Sequence, residues 1–71
     1  MVVSIESPPD RKKLVAGILH ENEQWAEVNQ ESGALVLELY PRRDGQPWSF
    51  SFDEAVAALQ KAKDRLIGGI S

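Results

Sequence analysis

The stretch Gln24–Tyr40, QWAEVNQESGALVLELY, decides how the rest of the chain must be arranged. Gln24–Gln30 and Ala34–Tyr40 read as two strands, with Ser32-Gly33 supplying the reversal between them. Along the first, Ala26 and Val28 share one side; along the second, Leu35, Leu37 and Leu39 do. A one-residue slip in pairing sends every side chain to the opposite face. Only a connection with an even number of residues puts both apolar sets on the same side. An odd one would set the leucines beside Glu27 and Asn29. The hydrophobic pattern therefore selects the even loop, and the shared side needs an apolar cover.

A helix supplies that cover. Ser51 stands three residues before Glu54, the spacing of a capping box, and Phe50 is placed to staple onto Ala55. Behind the cap, Val56, Leu59, Ala62 or Lys63, and Leu66 recur at helical spacing. Asp53 and Glu54 fall in the first turn and Lys61, Lys63 and Arg65 late, as the helix dipole favours. Gly68-Gly69 provides the stop. The amphipathic face is expected to lie over Ala26, Val28, Leu35, Leu37 and Leu39.

Upstream, Lys13–Leu19 (KLVAGIL) reads as a strand and His20–Glu23 as a turn. Pro8-Pro9 interrupts regular structure, so residues 1–10 are expected to form a tail or a short edge strand at Val2–Ile5. Downstream, the Pro41–Pro47 loop leads to Trp48, Phe50 and Phe52, which alternate with serines as a short fourth strand or extended lead-in. The expected fold is α+β: a small antiparallel sheet of three to four strands, in the order β-β-β-(β)-α. A single C-terminal helix packs on one face of it. Residues 11–71 form one domain.

The other face of the sheet points to function. On this register it carries Trp25, Val36 and Tyr40 among Glu27, Asn29 and Glu38. The strand Lys13–Leu19 is apolar on both sides, offering Leu14, Ala16 and Ile18 or Val15, Gly17 and Leu19. One helix shelters one side, so a second cover is expected, and a two-fold copy would provide it. Aromatic residues are enriched at such contacts. The chain is thus expected to be a non-enzymatic protein–protein interaction module that forms a homodimer. Its candidate contact residues are Trp25, Val36 and Tyr40, with Arg42 and Arg43 beside them.

Composition narrows the alternatives. A 71-residue chain has a thin core, and without cysteine it has neither disulfides nor thiolate metal sites. Eight basic residues against eleven acidic ones give a net charge of −3, the wrong sign for a phosphate-backbone binder. No apolar run is long enough to span a bilayer, and Met1–Glu6 is too short and acidic for a signal peptide. Nucleic acid and membrane are accordingly not expected as partners, and residence in the cytoplasm is. Catalysis needs convergent groups, yet there is one histidine, and no serine stands in a nucleophile-elbow setting. His20, Glu21 and Glu23 read as a solvated turn rather than metal ligands. Without a Gly-rich phosphate loop, no cofactor is expected. Two alternatives stay open: neutralising a basic partner protein, steered by the acidic charge, and binding a small ligand through residues 41–47, with Arg42 and Arg43 as the anion clamp.

The run SFDEAVAALQKA opens the helix after three strands. With Ser51, Glu54 and Ala55 at the helix start, residues 13–66 resemble small bacterial antitoxins of the HicB type, in which three antiparallel strands precede such a helix. The family's Pro-Asp-x-Pro-Gly segment is absent, Pro41–Gly45 being a loose echo, and no strand follows the helix. The chain is also similar to small bacterial immunity proteins. These resemblances imply a neutralising role and assign no functional residue.

Overall fold

A tight hairpin organises the sheet. In the computed structural model, which describes residues 1–68, β2 (Val15–His20) and β3 (Glu23–Asn29) are joined by Glu21 and Asn22 alone. Both turn residues have positive φ, 51° and 68°, the signature of a type I′ turn, whose twist matches that of the flanking strands. Asparagine tolerates this conformation and glutamate does not favour it. Replacing Glu21-Asn22 with Asn-Gly should therefore stabilise the domain by about 1 kcal/mol, raising Tm by about 4–8 °C. Thermal unfolding followed by circular dichroism measures this, and an unchanged Tm would remove turn strain from the account.

Two further strands complete an antiparallel meander in the order β1-β2-β3-β4. The N-terminal segment is an edge strand, β1 (Val2–Glu6), paired along β2 with Val3 opposite Ile18. Strand β4 (Val36–Leu39) forms the other edge, with Val28 opposite Leu37 and Ala26 opposite Leu39. Asn29 faces Val36, so residues 30–35 make an even connection and the apolar sets share a side. Within it the Gly33 amide donates to the Gln30 carbonyl at 2.9 Å, with Gly33 at φ 92°. Lys13 and Leu14 fall before β2 rather than in it. Trp48–Phe52 contributes no strand; β1 is the fourth.

Helix α1 (Phe52–Ile67) begins as its cap dictates: the Ser51 hydroxyl accepts the Glu54 amide at 3.3 Å. Its C-cap is Gly68, whose amide donates to Asp64 at 2.8 Å; Gly69 lies outside the described residues. Buried Ala58 and Ala62 let α1 settle closely onto Val3, Ala16, Ile18, Ala26 and Val28. Of the two choices for β2, Ala16 and Ile18 thus face the helix. No helix among the described residues is long and apolar enough to cross a membrane.

Two expectations are corrected. Between Ile18–Ala26 and Leu19–Gln24 the β2–β3 register shifts, and Trp25 is the extra residue. Such a bulge breaks strict alternation. Trp25 accordingly joins Ala26 in the core, 6% exposed, with its ring 4.7 Å from that of Phe50, instead of standing on the far face. The second correction concerns the cover. A helix is about 10 Å wide, whereas four strands span roughly 14 Å between outer axes. Helix α1 packs on β1, β2 and β3, which leaves Leu35, Leu37 and Leu39 at 41%, 46% and 68% exposure.

Candidate interaction surface

On the far face of the sheet, the chain's own β1–β2 loop places Arg11 against β3 and β4. Glu27 and Glu38 sit directly opposite each other on β3 and β4, a pairing that repels unless a cation intervenes. Arg11 supplies it: its Nη2 lies 3.1 Å from Glu27 and 3.3 Å from Glu38. Asn29 donates to both carboxylates, at 3.1 and 2.7 Å, and the Tyr40 hydroxyl donates to Glu27 at 3.0 Å. The loop is held by the Glu31 carboxylate, which accepts the Lys12 and Lys13 amides at 3.2 and 3.0 Å. Those bonds, the Lys12 amide first, lower the Glu31 pKa. This surface is a hydrogen-bonded polar network, and Val15 on β2 is buried as well.

Tyr40 is the chain's single tyrosine and reports on this network. Burial, followed by its hydrogen bond to the Glu27 carboxylate, raises its pKa above the ordinary 10.0. A pKa raised on folding means that the neutral phenol favours the native state. That contribution is complete below the unfolded value and is lost as pH rises through the folded one. Phenolate absorbance should therefore titrate above pH 10, and Glu27→Gln should bring the midpoint down. A midpoint unmoved by Glu27→Gln would mean the bond is absent in solution.

The remaining anticipated contact residues divide between two places. Val36 is half-buried on β4 and borders the groove between β4 and α1. Arg42 stacks over Trp48 at 5.5 Å and lies 3.7 Å from Asp44, while Trp48 donates to the Tyr40 carbonyl at 2.9 Å. The Arg43 amide, rather than its side chain, is tied down, donating to Glu23 at 2.6 Å. A polar cleft of about 300 Å³ beside them includes His20, Glu23, Arg42 and Trp48. The Arg42 guanidinium is already committed there, to an aromatic face and a carboxylate.

The surface that sequence reasoning missed lies on the helix side of β4. An open groove of about 270 Å³ runs between β4 and α1, lined by Val28, Leu35, Leu37, Val56, Leu59 and Lys63. Leu39 and Phe52, 68% and 79% exposed, add to the apolar surface that β4 and α1 leave open. Monomeric proteins seldom leave clustered apolar side chains like these open.

The two sheet edges differ as well. On β1 the Arg65 guanidinium, reaching over from α1, donates to the Val3 carbonyl at 3.1 Å. On β4 the Tyr40 amide donates to Trp25 at 2.9 Å, which makes 40 and 25 a hydrogen-bonded pair. Alternation then turns the backbone groups of Val36 and Glu38 inward, and those of Leu37 and Leu39 out to the free edge. No protein-family model, curated protein or solved structure matches the chain.

Proposed function

We propose that this chain is a non-enzymatic protein–protein interaction module that self-associates, with β4 and its adjoining groove as the contact surface. One observation carries the reading: β4, whose outer edge pairs with no strand among the described residues, is also the strand whose leucines the helix leaves open. Exposed apolar edge strands are a liability that folded proteins guard with charge, proline or cover. Here Arg65 occupies a backbone carbonyl of β1, whereas among the described residues no side chain bonds to the backbone of Leu37 or Leu39. The homodimer stays the proposed state, with its contact on the leucine face instead of the Trp25 face. Neutralising a basic partner would call for a carboxylate-rich surface. The polar side chains lining the groove are Gln60 and Lys63, which favours self-association.

The contact is small, so the dimer should be weak, forming between about 10 μM and 1 mM. Sedimentation equilibrium over that range should show a monomer–dimer equilibrium. Leu39→Lys, at a position 68% exposed, should leave Tm nearly unchanged and weaken association at least about tenfold, since a charge at the contact must be desolvated. A wild type that stays monomeric throughout would overturn the reading.

A further inference from the structure

The free edge of β4 specifies how a second copy would seat itself. Its outward-facing backbone groups belong to Leu37 and Leu39 and, continuing the alternation, to Leu35. Antiparallel pairing of two identical strands places a two-fold axis perpendicular to the sheet, so residues on the same face come opposite one another. Two registers centre on the strand. An axis at Glu38 would set Glu38 against its own copy, a like-charge pair. It would also bring Leu35 opposite the partner's Pro41, which has no N–H to give. An axis at Leu37 has neither defect. Leu37 then exchanges both backbone bonds with the partner's Leu37, and Leu35 pairs with the partner's Leu39. The carboxylates of Glu38 stay on the far face, each beside its own Arg11.

We propose that two copies join through β4 in antiparallel register with the two-fold axis at Leu37, making one continuous eight-stranded sheet. Both helices stand on the same side of it, and the leucines of the two copies form a single apolar floor between them. This rests on the self-association reading above and adds the geometry. The occupant is a second copy because this register satisfies the open backbone groups of both chains at once and keeps the acidic side chains apart.

The chain contains no cysteine, so single-cysteine variants report without background. Opposed residues of a hydrogen-bonded antiparallel pair have Cα atoms about 5.5 Å apart, within disulfide reach. Positions two residues from the axis lie roughly 14 Å from their own copies, beyond reach. Under mild oxidation Leu37→Cys should form a covalent dimer, and Leu39→Cys alone should not. A mixture of Leu35→Cys and Leu39→Cys should cross-link. Cross-linking of a Leu37→Cys and Leu39→Cys mixture, with Leu37→Cys alone inert, would place the axis at Glu38 and overturn the register. Dimers by sedimentation without any β4 cross-link would overturn edge pairing while leaving self-association standing. A monomer by sedimentation with no cross-link at any position would overturn both. Circular dichroism establishes that each variant is folded.

Discussion

Trp25→Ala is expected to unfold a large share of the protein at room temperature. Truncating a buried tryptophan costs about 3–5 kcal/mol in lost burial and cavity formation. A core of this size rarely supplies more than about 3–5 kcal/mol in total. Trp25 is 6% exposed, and Phe50, the residue before the helix cap, packs on it at 4.7 Å. The loss would therefore loosen the junction between sheet and helix. Among the described residues its buried indole N–H has no hydrogen-bond partner, so Trp25→Phe gives up no bond there and should cost far less than Trp25→Ala. Urea denaturation separates the cases. If Trp25→Ala left stability intact and abolished association instead, the tryptophan would belong on the surface and the bulge would be misplaced.

Glu27→Ala should produce the second large effect, a loss of about 2–3 kcal/mol, because one buried carboxylate serves three donors. Arg11, Asn29 and Tyr40 all bond to it, at 3.1, 3.1 and 3.0 Å. Removing it strands a phenol and leaves Arg11 with Glu38 alone. Arg11→Met works from the other side, leaving two opposed carboxylates with no cation between them. It should lower Tm, because like charges directly opposite each other on neighbouring strands repel. A Glu27→Ala variant within about 0.5 kcal/mol of wild type, the range of ordinary surface changes, would mean that the network contributes little.

The frame of this fold was legible where two independent patterns agreed. Alternation in Ala26, Val28, Leu37 and Leu39 required a shared face and an even connection, and Ser51 with Glu54 marked the helix start. Both hold. What misled was strict alternation through Trp25. A bulge leaves no residue-type signature, since the inserted residue here is an ordinary strand former. The far face was misjudged for a related reason. Arg11 lies sixteen positions from Glu27, and nothing local announces that the Pro8–Leu14 loop folds back across the sheet. The groove was the feature most open to prediction: four strands are wider than one helix, and the alternating leucines on and just before the edge strand lie beyond its reach. Widths, more than residue types, place the candidate site.

Amide hydrogen exchange at Leu37 and Leu39, followed by NMR from dilute to about millimolar protein, tests the edge-contact claim most directly. Both N–H groups point out of the sheet in one copy, so they should exchange rapidly when dilute and slow markedly with concentration, while Glu38 stays protected throughout. Rapid exchange at Leu37 and Leu39 at every concentration would contradict the account, most sharply if the protein were dimeric.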